Sequence, residues 1–188
     1  LLFKGDTKVV SFLNAHAVNL CNGNIDFHWS LINSDYLLRD GIGVKIACKY
    51  FNYDPACNMN GTDLIPLLIK KYESLSFKIY FLGSTPDVSN SLSGQYLTSK
   101  KHFFIDGFRS DEEYLGFIDN SEPALVILGM GMPKQELLSL KIKASKDQNL
   151  LIVNGGAIID RLSGIQKRGP RFLYNNGLEW LYRLYSSP

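Results

Sequence analysis

Hydrophobic residues along this chain fall into short blocks that alternate with longer stretches of mixed character. Val9–Leu13, Phe77–Leu82, His102–Ile105, Ala124–Leu128 and Leu150–Val153 are runs of four to six residues, the length expected of buried strands. Between them the spacing becomes helical. Leu64, Leu67, Leu68, Tyr72 and Leu75 are placed for one helix face, with Thr62 as the expected N-cap. Val88, Leu92 and Tyr96 are placed for a second, behind Ser84 or Thr85 and Pro86. A third helix is expected from Pro133 to about Ser145, and a turn region around Asn52–Asn60. Alternation of this kind predicts an α/β fold, with a mostly parallel sheet between helical layers.

The polar residues that close these blocks sharpen the picture. Val9–Leu13 runs into Asn14-Ala15-His16, Phe77–Leu82 into Gly83-Ser84-Thr85, and His102–Ile105 into Asp106-Gly107. Ala124–Leu128 runs into Gly129-Met130-Gly131, and Leu150–Val153 into Asn154-Gly155-Gly156. A parallel sheet gathers all such turns on its carboxyl edge, where α/β proteins bind ligands. Turns are polar in any protein. Five endings of this kind on one edge still favour a glycine-floored cleft there.

The densest of them is Ala124 to Glu136, A-L-V-I-L-G-M-G-M-P-K-Q-E. Glycine at Gly129 and Gly131 allows the backbone to approach a ligand, and Pro133 suits the first turn of a helix. A helix start presents unpaired N–H groups that attract anions. Lys134, Gln135 and Glu136 crowd that turn and are candidate ligand contacts, although a solvated first turn has the same spacing. The G-x-x-x-x-G-K-[ST] spacing of a phosphate-binding loop is absent. The third glycine of a dinucleotide fingerprint is missing as well, which disfavours a Rossmann-type oxidoreductase.

Composition narrows the function classes. The 188 residues suit one domain, and a net charge of +2 gives no indication of nucleic acid. Cys21, Cys48 and Cys57 are odd in number and lack C-x-x-C spacing, so neither a disulfide framework nor a zinc site is expected. No apolar run approaches the roughly 18 residues that span a bilayer. The chain begins at Leu1 without methionine and stops at Pro188 just after an aromatic stretch, so both ends read as cut.

Asp40, in Arg39-Asp40-Gly41, is a candidate proton acceptor in the cleft, and equally an Asp-Gly turn residue satisfied by its own backbone. Asn14, Thr62 and Asp63 are further candidates for binding, although Asn60-Gly61-Thr62-Asp63 could equally be a helix cap with an acid at the favourable positive end. Lys167, Arg168 and Arg171 form a basic turn, in which Arg168 could hold a diphosphate. A last helix is expected over Gly177–Tyr185, unusually aromatic and suited to core packing, a partner or a membrane surface. No D-x-D pair is present to hold a cation on a sugar nucleotide, no H-E-x-x-H and no G-x-S-x-G.

Five strings in order, D-G-I-G at Asp40–Gly43, G-T-D-L at Gly61–Leu64, G-M-G-M-P-K-Q-E at Gly129–Glu136, K-R-G-P at Lys167–Pro170 and G-L-E-W-L-Y-R-L at Gly177–Leu184, resemble the WecG/TagA/CpsF glycosyltransferases. The resemblance covers nearly the whole chain. It implies an inverting, metal-independent transferase without a cofactor, moving a sugar such as N-acetylmannosamine from a UDP-sugar. The acceptor it implies is a polyprenyl-diphosphate-linked N-acetylglucosamine at the inner face of the cytoplasmic membrane, in the synthesis of teichoic acid or a related cell-envelope polysaccharide. Residues 1–188 would be one catalytic domain of peripheral location, lacking a basic C-terminal tail and open to homo-oligomer formation. On this reading Asp40 is the catalytic base. Gly129, Gly131, Gln135 and Arg168, with Lys134, meet the leaving group, while Asn14, Thr62 and Asp63 orient sugar or acceptor. The chain departs from the family's pattern at Asn58, where an arginine is usual, at Gly169 in place of alanine, and in its Asn14-Ala15-His16 loop. Asn58 and the missing tail leave a non-catalytic UDP-sugar-binding module as the alternative.

Overall fold

The computed structural model describes residues 5–96, 100–146 and 149–164. Six strands, β1 (Lys8–Leu13), β2 (Tyr36–Arg39), β3 (Lys78–Gly83), β4 (His102–Ile105), β5 (Ala124–Gly129) and β6 (Leu150–Asn154), form one sheet in the order β2-β1-β6-β5-β3-β4. Every pairing is parallel. The α/β expectation therefore holds, with five strands close to their expected limits. The sixth, β2, is only four residues long and lies at the sheet edge, too short to declare itself by alternation.

Parallel strands need crossovers, and the helices that provide them cover both faces of the sheet. They are α1 (Ala15–Cys21), α2 (Ile25–Ile32), α3 (Ile42–Tyr50), α4 (Gly61–Ser74), α5 (Pro86–Tyr96), α6 (Asp111–Phe117), α7 (Lys134–Ser145) and α8 (Ile158–Leu162). Successive strand side chains point to opposite faces. Val10, Phe12, Ile79, Phe81, Leu125, Ile127, Leu151 and Val153 meet α4, α5 and α8 on one side, through Ile65, Ile69, Val88, Leu92, Ile158 and Ile159. Val9, Tyr80, Leu82, Val126, Leu128 and Ile152 meet α6 and α7 on the other, through Tyr114, Leu138 and Ile142. All six residues of β5 are buried, as its central position and double cover require.

Two local expectations are corrected. Asn60, not Thr62, caps α4: its Oδ1 accepts from the Asp63 backbone N–H at 2.9 Å. The buried face of that helix is Ile65, Ile69 and Tyr72, with Leu64 and Leu68 at its margins, whereas Leu67 faces solvent. Pro133 occupies the N-cap position of α7, one residue before the helix proper. Thr85 does act at the start of α5, its hydroxyl accepting from Val88 N–H at 3.4 Å. The short α1, α2, α3, α6 and α8 were not expected, since five to nine residues carry too little periodicity to stand out.

Candidate functional site

At the carboxyl edge, the ends of β1, β2, β5 and β6 surround a cavity of about 400 Å³, within the range of small-molecule sites. Its wall carries Asn14 and His16 from the start of α1, Asp40 from the end of β2, and Gly61 and Thr62 from the start of α4. Gly131, Met132 and Gln135 come from the β5–α7 turn, and Asn154 to Ile158 with Arg161 from β6 and α8. Helix N-termini converge here because a parallel sheet places the start of each crossover at the same edge. The long helices α4 and α7 thus add their positive ends to the site.

Asp40 is held by its surroundings on both sides. Its backbone N–H donates to Leu13 O at 2.8 Å, carrying the β1–β2 ladder one residue past the strand. The next N–H, of Gly41, donates to Asn58 Oδ1 at 2.9 Å. The Arg39 guanidinium then fastens the following loop, donating to Pro55 O at 2.6 Å, Gly41 O at 2.9 Å and Ala56 O at 3.1 Å. Asn58, a departure from the resemblance noted above, has its side chain committed to fixing the turn that bears Asp40. Arg39 and Asn58 together hold the turn that bears Asp40, a part that neither residue was expected to play.

The cation of the cavity comes from elsewhere. Arg161 is the only lysine or arginine among the described lining residues, and its Nη1 donates to Thr62 Oγ1 at 2.6 Å. One residue earlier, Asp160 accepts from the Ser84 hydroxyl and ties α8 to the end of β3. The sequence signal for Arg161 was its place just beyond the Gly155-Gly156 turn that closes β6.

Gln135 reaches the cavity from a buried position. Its Oε1 accepts from Gly156 N–H at 2.9 Å, and its Nε2 donates to Glu136 Oε1 at 2.7 Å. Those two bonds fix which way the amide points and leave one N–H for a ligand. Asn154 is buried beside it, its Nδ2 donating to Ser11 Oγ at 2.8 Å and Ser139 Oγ at 3.2 Å.

Glu136, Lys134, Asp63 and Gly129 do not line the cavity. Glu136 is buried behind Gln135, and its Oε2 has no hydrogen-bond partner among the described residues. Burial pushes its carboxyl up to about 7, against the lowering effect of the Gln135 amide. It supports Gln135 and does not line the cavity. Lys134 turns toward the end of β4, donating to Gly107 O at 2.7 Å above the Tyr114 ring. Asp63 faces solvent and accepts from Asn60 Nδ2 at 2.8 Å. Gly129 serves packing: a Cβ there would come within 2.6 Å of Ile159 Cδ1. Gly131, by contrast, lines the cavity at a φ of +77°, a conformation that favours glycine. Arg168, the Lys167–Pro170 turn and the aromatic Gly177–Tyr185 stretch lie outside the described residues. Among the described residues, no group of three or more His, Cys, Asp or Glu is arranged to hold a metal ion.

The model of the Glycosyl transferase WecG/TagA/CpsF family matches residues 1–188. The chain belongs to that family. It is 30% identical over 166 residues to an N-acetylglucosaminyldiphosphoundecaprenol N-acetyl-beta-D-mannosaminyltransferase of Bacillus spizizenii, a match covering 84% of this chain and 63% of that protein. A protein of the same name from Bacillus subtilis is 26% identical over 185 residues, covering 96% of this chain and 72% of its own length. The chain thus spans about two thirds of the length of these relatives.

Proposed function

We propose that this chain is the catalytic domain of an inverting glycosyltransferase that moves a sugar of the N-acetylmannosamine type from a UDP-sugar to a polyprenyl-diphosphate-linked N-acetylglucosamine. The observation that carries the reading is the meeting of one carboxylate, Asp40, and one cation, Arg161, on a cavity ringed by helix N-termini. The names of the relatives support the sugar and the acceptor of this reading.

Inversion takes one displacement. The acceptor hydroxyl oxygen attacks the anomeric carbon from the face opposite UDP, its proton passing to the Asp40 carboxylate. The bond from that carbon to the diphosphate oxygen breaks, and its electron pair leaves with UDP. The growing phosphate charge is met by Arg161, the Gln135 amide and the N–H groups at the starts of α4 and α7, all fixed before reaction. Thr62, hydrogen-bonded to Arg161, and Asn14, the N-cap of α1, are read as orienting sugar or acceptor. Asp63, Gly129, Lys134 and Glu136 support the site from behind or beside it. Arg168 remains proposed as a second phosphate contact.

The domain is read as acting at the cytoplasmic membrane face, where a polyprenyl acceptor is anchored. Among the described residues no helix is long and apolar enough to cross a membrane. Radiolabelled transfer from a panel of UDP-sugars to a lipid-diphosphate-GlcNAc analogue tests the proposal, with EDTA in a parallel reaction. Labelled product from one UDP-sugar, unaffected by EDTA, is expected. UDP binding without product from any sugar would assign the chain to the non-catalytic alternative, and loss in EDTA restored by Mg²⁺ would refute the metal-free mechanism.

A further inference from the structure

Among the described residues, two exposed apolar surfaces outside the cavity differ in charge. On α2, Ile25, Trp29 and Ile32 face solvent, and Asp26 is the only acidic or basic residue of that helix besides His28. On α3 and the loop after it, Ile46, Tyr50, Phe51 and Tyr53 are 61%, 79%, 65% and 71% exposed. Lys45 and Lys49 share the outward side of α3 with Ile46 and Tyr50, while Val44 turns inward to the core. The helix has no acidic residue, and the nearest one after it, Asp54, accepts from Ala56 N–H within its own loop.

A surface helix of a soluble domain ordinarily shows water its charged side. Here the outward side combines aliphatic, aromatic and cationic groups. That is the composition of a surface lying on an anionic bilayer, with rings at headgroup depth and lysines on lipid phosphates. The α2 surface lacks the cations, so charge distinguishes the two. Position agrees, because α3 begins two residues after Asp40.

We propose that α3 and the Tyr50–Tyr53 loop dock the protein on anionic phospholipid and so bring the Asp40 side of the cavity to the bilayer. The use of this surface in transfer rests on the lipid-linked acceptor of the reading above; the docking itself does not. Co-sedimentation of the full chain with phosphatidylglycerol or phosphatidylcholine vesicles tests it. Binding to phosphatidylglycerol alone is expected, reduced at least tenfold in Lys45→Glu/Lys49→Glu and in Tyr50→Ser/Phe51→Ser, and unchanged in Trp29→Ser. The substituted side chains are exposed, and circular dichroism verifies that each variant is folded. Transfer to acceptor embedded in vesicles should fall in the α3 variants, with transfer to a water-soluble acceptor analogue unchanged. The proposal is overturned if folded α3 variants bind vesicles like the wild type, or if Trp29→Ser carries the loss. It is overturned equally if the α3 variants only dissociate a dimer, which would make a second copy of the chain the occupant. Absence of transfer to either acceptor, with vesicle binding still dependent on α3, would uphold the docking and remove the transferase reading.

Discussion

The carboxyl edge of the sheet has two halves made of the same kinds of residue. At the ends of β3 and β4, Ser84 donates to Asp160, and Gly107 N–H donates to Ser84 O at 2.9 Å. Asp106 accepts from Phe108 N–H at 3.0 Å and Arg109 Nε at 2.9 Å, while Tyr114 OH donates to its backbone O at 2.9 Å. Lys134 closes the same corner on Gly107. The polar groups there are turned inward on one another. At the ends of β1, β2, β5 and β6 they stand around open space, held at its wall by bonds such as Arg161–Thr62 and Gln135–Gly156. Polar strand ends therefore mark where a site can be built, and the pairing of their side chains decides which of them form it.

The largest expected effect lies at Asp40. Asp40→Asn keeps shape and removes the base, so turnover should fall about 10²–10⁴-fold while UDP affinity measured by calorimetry changes little. Full activity in this variant would remove Asp40 from the role. Arg161→Ala comes next. Loss of a charge-assisted contact worth roughly 1.5–3 kcal/mol should weaken UDP binding about 10–100-fold, with Arg161→Lys in between. Unaltered affinity would mean that the diphosphate is met elsewhere.

A smaller effect, on stability, is expected behind the wall at Glu136. Its carboxyl is raised from 4.5 to about 7 by burial. As pH rises through that window the unfolded chain loses the proton first, so the group's stabilising contribution, complete below 4.5, is lost by about 7. Glu136→Gln removes this dependence and still offers an oxygen to Gln135. It should add on the order of 2 kcal/mol at pH 8 and little at pH 4, with UDP affinity retained. Equal gains at both pH values in denaturant titrations would contradict the assignment.

The inward-turned half gives the smallest effect on function. Burial pushes the Asp106 carboxyl up, and the Phe108 N–H and Arg109 guanidinium outweigh it, so the group titrates below the usual carboxylate range. Asp106→Asn should lower Tm by a few degrees at neutral pH, the difference shrinking as acid protonates Asp106 in the parent. Transfer and UDP binding should be unchanged, and a loss of either would erase the distinction between the halves.

The sequence made both halves equally visible, since Asp106-Gly107 and Gly155-Gly156 look alike as turn residues. The parallel sheet was readable because central strands such as β5 are apolar throughout. The edge strand β2 was not, having four residues and one buried face at most. Gln135 was a candidate from its place at a helix start, but its bond to Gly156 spans 21 residues and exists only in the fold. Arg161 was overlooked because an arginine in a short helix is ordinarily a solvated charge. Only the packing of α8 against α4 brings it to Thr62.

Hydrogen–deuterium exchange with and without UDP tests most directly that the β1–β2–β5–β6 half is the binding half. The account predicts protection in peptides covering residues 14–16, 61–62, 131–135 and 154–161, and none over 83–85 or 106–109. Protection centred on Ser84 and Asp106, with the first group unchanged, would contradict it.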